Sequence, residues 1–224
     1  MAFNKNNTAA IYRLALMYQL KLKNVTKAIQ YFNLAIDKGN VDAMSSLALL
    51  YQTDLKEYDK AAKYFKMAID TGNVEAMNNL AWLYFITKTN KKEAINLLDK
   101  AYQESMKITN AYVCAMVYIW NDQIEEGLTR AKDFMENEDM ITRFSMGIEP
   151  YLMLLMAKKQ YSYLYDLFHE NQYNVKDVYK PIYYALMYFM QDLYPDEYKR
   201  MGEELRQTVE EIVGQIHQME IDYL

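Results

Sequence analysis

Few residues in this chain have side chains that could carry a reaction. His217 and Glu220 stand three apart, a spacing that puts both on one helix face, where they could begin a metal site. No further ligand set accompanies them, and with only two histidines, His169 and His217, there is little material for a His-based site. The glutamate pairs Glu125–Glu126, Glu203–Glu204 and Glu210–Glu211 are adjacent in sequence, so on a helix they point about 100° apart and form no acid/base pair. They read as solvated faces. Cys114 is the single cysteine, which excludes a disulfide framework and any cysteine-rich metal site. There is no glycine-rich phosphate loop, nucleophile elbow or HExxH helix. The expectation is a protein that is not an enzyme and uses no cofactor and no metal.

The elements that would position a functional surface are helices. The 224 residues include only 6 Gly and 3 Pro against 52% hydrophobic residues, too little turn chemistry for the many hairpins of an all-β fold, so the fold class is all-α. The opening MAFNKNNTAA lacks the apolar core of a signal peptide, and no stretch approaches 18 residues free of charge. A soluble, cytoplasmic protein without membrane contact is expected. The net charge of -5, with 25 basic residues that read as scattered, argues against nucleic acid as partner.

The chain repeats itself. KGNVDAMSSLALLY at 38–51 returns 33 positions later as TGNVEAMNNLAWLY, and Ala10, Ala43 and Ala76 head equivalent segments. Ala28, Ala61, Ala94 and Gly127 keep the same spacing in a second series. Each unit therefore holds two helices. Leu14, Ala15 and Tyr18 recur as Leu47, Ala48, Tyr51 and Leu80, Ala81, Tyr84, one face of the first helix. Ala28, Phe32 and Ala35 recur as Ala61, Phe65, Ala68 and Ala94, Leu98, Ala101, one face of the second. Small residues facing large ones let helices approach to about 8–10 Å. Gly39 and Gly72 suit left-handed C-caps, and Asn40 and Asn73 can N-cap the next helix, with Asp42 and Glu75 in its first turn. A pair of this size cannot bury its own apolar faces, so copies must stack as an α-solenoid of antiparallel helix pairs with a period of 33 residues. Cys114 occupies the slot of Ala15, Ala48 and Ala81 and reads as a buried small residue.

Leu-Ala-x-x-Tyr in the first helix and Ala-x-x-x-Phe-x-x-Ala in the second resemble the tetratricopeptide repeat, and the Ala-x-x-x-Gly ending (Ala35 to Gly39, Ala68 to Gly72) resembles its Sel1-like relative. The likeness covers residues 8–105 in three copies. A fourth, 107–137, keeps the phase with Val113, Cys114 and Val117 in place of Leu, Ala and Tyr. The resemblance implies that first helices line a concave, partner-binding groove, which carried over falls on Tyr12, Leu16, Gln19, Ser45, Leu49, Gln52, Asn78, Trp82, Phe85, Ala115 and Tyr118. Trp82 is the favoured anchor, since large aromatics carry much interface energy. Family members that clamp a peptide carboxylate use Lys and Asn where this chain has Tyr12 and Leu16, so the implied ligand is an apolar segment of some basic character, which the net charge would favour.

Four repeats over residues 1–137 are thus expected, followed over 138–224 by a degenerate helical extension continuous with the array. That extension holds helices around 149–159, 161–170, 178–192 and 196–222. In the last, Leu205, Val209, Ile212, Ile216, Met219 and Tyr223 form a heptad-like seam that is either the inner face of a long capping helix or a dimer or docking seam. Function reads as a protein–protein interaction module acting as adaptor, chaperone or inhibitor of a larger partner. The alternative is a self-associating scaffold built on helix 196–224.

Overall fold

A computed structural model describes residues 5–105, 111–135, 149–169, 180–199, 201 and 203–223. All regular secondary structure among the described residues is helical. The chain divides into two compact units, Met1–Asn110 and Ala111–Leu224.

The first unit is three antiparallel helix pairs stacked as an α-solenoid: α1 (Lys5–Leu20) with α2 (Val25–Asp37), α3 (Asp42–Thr53) with α4 (Tyr58–Asp70), and α5 (Val74–Thr87) with α6 (Lys91–Ser105). Each second helix also packs on the next pair's first helix, α2 on α3 and α4 on α5. The repeated small and large residues make this core. Ala28, Phe32, Ala35 and Ala61, Phe65, Ala68 are fully buried, and so are Leu47, Ala48, Leu80 and Ala81. In α1 the burial is incomplete, for Leu14 is only half-buried and Ala10 exposed.

The joints between pairs follow from the Gly-Asn phrase. Gly39 and Gly72 adopt φ +82° and +86°, the left-handed region open to glycine at little cost. Gly39 N–H donates to Ile36 O and Asn40 N–H to Ala35 O, closing a Schellman turn, and Gly72 and Asn73 repeat it on Ile69 and Ala68. The Asn40 side chain then accepts from Ala43 N–H at 2.8 Å and that of Asn73 from Ala76 N–H at 2.9 Å. One asparagine ends one helix and begins the next.

The second unit contains α7 (Ala111–Trp120), α8 (Ile124–Met135), α9 (Glu149–Ala157), α10 (Tyr161–His169), α11 (Lys180–Phe189), α12 (Pro195–Lys199) and α13 (Glu203–Tyr223). The decayed fourth pair, α7 and α8, lies here. Every residue of α7 is buried. Helix α9, with Tyr151, Leu152, Leu154, Leu155 and Met156 fully buried, touches α7, α10, α11 and α13 and is the hub of the unit. The turns after α7 and α9 are built alike: Asp122 and Lys159 both have positive φ, and Gln123 N–H and Gln160 N–H reach back to Tyr118 O and Leu155 O. Lys158 Nζ bridges the two turns, 2.6 Å from Asp122 Oδ1.

The terminal segment departs from the expected single helix 196–222. Pro195 opens a five-residue helix that ends at Lys199, and a separate helix begins at Glu203. Gly202, a poor helix former, stands between them in the sequence. Residues 138–148 and the Tyr223 side chain lie outside the described residues.

Candidate partner-binding surface

The eleven positions carried over from the repeat resemblance split into two sets. Tyr12, Leu16, Gln19, Ser45, Leu49 and Trp82 keep partial exposure, whereas Gln52, Asn78, Phe85, Ala115 and Tyr118 are buried. Leu16, Leu49 and Trp82 occupy the same slot of α1, α3 and α5 and form an apolar row along the first helices. Around it, Tyr12 hydrogen-bonds Ser46 Oγ at 2.9 Å and packs on Phe32, while Gln19 Nε2 donates to Asp54 Oδ2 at 3.3 Å. Both polar contacts tie α1 to the second pair. Phe85 stacks on Trp82, ring centroids 5.1 Å apart, so it supports the half-buried indole without itself reaching the surface.

Ala115 and Tyr118 cannot contact a partner, and the reason lies in α8. A Cβ on Gly127 would sit 2.5 Å from Ile119 Cγ1 and 3.1 Å from Ala115 O, so this glycine lets α8 press directly on the α7 backbone. That face of α7 is a helix contact, not a groove wall.

On α3, the Ser45 hydroxyl and the Gln52 amide oxygen are shielded from solvent and have no hydrogen-bond partner in the chain. They stand seven residues apart, two turns on one face, with Leu49 between them. A buried polar atom left unpaired costs about 1–3 kcal/mol.

A second patterned surface escaped the sequence reading. Tyr18 stacks on Tyr31 at 5.2 Å and Tyr51 on Tyr64 at 5.6 Å, with Lys27 and Lys60 each 5.2 Å above the Tyr18 and Tyr51 rings. The signal was present as a 13-residue interval from first-helix to second-helix tyrosine, itself repeated at 33. In the third pair Leu97 and Glu93 replace the second tyrosine and the lysine. There Lys66 reaches from the second pair to within 3.8 Å of Glu93, and burial pushes the Tyr84 hydroxyl above its ordinary range while the Lys66 ammonium pulls it back. Lys56, Lys60, Lys66, Tyr58, Tyr84 and Asn90 are among the residues around a cavity of 730 Å³ at this edge.

Charge is not scattered once the units are separated. Residues 1–110 hold 15 Lys and Arg against 10 Asp and Glu, a net +5, and residues 111–224 hold 10 against 20, a net -10. The repeat unit is therefore cationic, opposite in sign to the whole-chain charge on which the expectation of a basic ligand rested.

The C-terminal seam is an internal face. Val209 and Ile216 are buried where α13 packs on α11 and α9, with Leu205, Ile212 and Met219 half-buried beside them. His217 Nδ1 lies 3.0 Å from Glu220 Oε2 and its ring meets Phe189 edge-on. Among the described residues no group of three or more His, Cys, Asp or Glu could hold a metal ion, and no helix is long and apolar enough to cross a membrane. Cys114 is buried.

Residues 8–40, 41–73 and 74–105 each match the family described as Sel1 repeat, at the boundaries the Gly-Asn joints set. No curated protein and no solved structure matches the chain.

Proposed function

Starting from three consecutive Sel1 repeats, a repeat that generally serves as a noncatalytic protein–protein interaction module, we propose that residues 8–105 capture an extended, acidic segment of a larger protein along the first helices, and that the chain acts as an adaptor or inhibitor of that partner. The observation that carries this reading is the row of half-buried Leu16, Leu49 and Trp82, which hold one slot on all three first helices and keep part of their apolar surface open. They take the segment's apolar side chains, and the net positive charge of the unit draws its carboxylates. A sequence with a single cysteine, Cys114, suits a reducing compartment, and the cytoplasm is the proposed site of action.

A photo-crosslinking residue at Leu49 should capture one dominant partner in native cells, and Trp82→Ala in the same chain should abolish that capture while the helical circular dichroism is unchanged. Capture that survives Trp82→Ala would place the binding surface elsewhere.

A further inference from the structure

The first acidic residue of the chain is Asp37; the preceding 36 residues carry Lys5, Arg13, Lys21, Lys23 and Lys27 and nothing to balance them. Residues 1–36 thus hold a net +5, equal to the whole positive excess of their unit. On α1, Arg13, Leu16, Met17, Leu20 and Lys21 line an open groove of 360 Å³. Its apolar floor is unusually bare, with Met17 39% and Leu20 59% exposed and Leu22 just beyond at 55%. No carboxylate among the described residues pairs with Arg13 or Lys21. An apolar strip between two cations asks for a helix that carries carboxylates and lets the strip come close to its backbone.

This chain contains such a helix. Residues 203–223, which form α13, hold six acidic residues and one arginine, a net -5. With its seam turned inward, α13 presents the opposite stripe, where Gln207, Glu210, Glu211, Gly214, Gln218 and the 74%-exposed Ile221 face solvent. Gly214 is the telling member. A glycine inside a helix weakens it, and here a Cβ would meet nothing within 4 Å, so nothing in its own fold requires one. Gly127 shows the contrasting case, a glycine demanded by a neighbouring helix of the same unit. A bare backbone in the middle of an exposed stripe lets a helix from another molecule come close.

We propose that the chain self-associates, the basic α1 face of one copy seating the acidic outer stripe of α13 from a second copy, with Met17 and Leu20 packed over Gly214 and with Arg13 and Lys21 against Glu210 and Glu211. This goes beyond the capture of a partner segment and shares only Leu16 with that surface. It also differs from a dimer through the Val209–Ile216 seam, which the fold has already closed.

Sedimentation of the intact protein tests it. At low salt the mass should rise with concentration above the 26.6 kDa of one chain and return to it at about 0.5 M NaCl, where screening is nearly complete beyond a few ångströms. The double variants Arg13→Glu, Lys21→Glu and Glu210→Lys, Glu211→Lys should each be monomeric and should associate with one another when mixed. Gly214→Leu should be monomeric with unchanged helix content, and Trp82→Ala should associate as the parent does. A parent that stays monomeric at low salt overturns the proposal. So does association that survives both charge reversals, failure of the two reversed chains to pair, or a monomer whose Arg13 and Lys21 are instead needed to bind anionic phosphatidylserine vesicles.

Discussion

Two glycines separate backbone need from space. Gly72, at φ +86°, holds a conformation that an L side chain adopts at a cost of about 1–2 kcal/mol, so Gly72→Ala should lower unfolding stability by about 1 kcal/mol. Gly214 sits in a helix with open space around it, and Gly214→Ala should raise stability by a similar amount through helix propensity. Urea denaturation of both variants checks the pair of opposite signs. Tyrosines set the alkaline limit. Burial pushes the Tyr112 and Tyr151 hydroxyls well above their ordinary value near 10. Above that pH the unfolded chain loses protons that the folded chain retains, so their contribution is intact below about pH 10 and falls by roughly 1.4 kcal/mol per pH unit per group as pH rises further. Tyr112→Phe should flatten that decline in a denaturation series from pH 9 to 11; an unaltered slope would mean that Tyr112 ionises freely in the fold.

Elements in the repeats were legible down to their caps. The 33-residue interval located α1 to α6, and the positions of Ala, Phe, Leu and Tyr within it identified the buried faces, because each copy repeats the same helix contacts. The groove was legible only in part. Phe85 and Gln52 occupy slots that a helical-wheel argument places on the outer face, but burial there depends on the neighbouring pair, which one helix's periodicity does not contain. The lysine-capped tyrosine stacks were missed for a related reason: their partners lie on two helices. In the second unit, Gly127 signalled the α7–α8 contact only as an outlier in the Ala28, Ala61, Ala94 series. Substituting Gly127→Ala should cost about 1–3 kcal/mol by forcing α8 off Ile119, the opposite of the usual benefit of alanine in a helix. On α3, Gln52→Leu tests the cost of the unpaired oxygen at nearly constant size: stability should hold or rise once that oxygen is gone, and a clear loss in urea denaturation would show that the amide is paired in the fold.

At the scale of the molecule, a cationic repeat unit and an anionic second unit mean that net charge misdescribes either one. Binding of a glutamate-rich peptide by the intact chain should exceed that of its lysine-rich counterpart and should fall several-fold between about 0.05 and 0.5 M salt. Preference for the lysine-rich peptide would return the acidic second unit as the main surface.

The double duty of Asn40 and Asn73 reaches past stability. Because each closes one helix with its backbone and opens the next with its side chain, the joint contains no spare residue to absorb a change in length. Deleting or duplicating a block of 33 residues, wherever in the array the cut falls, fuses two partial copies into one whole copy with its joint intact. A block one residue shorter leaves an asparagine that can serve one helix or the other. The array can therefore be lengthened or shortened only in whole steps, and its reach along a partner changes by quanta.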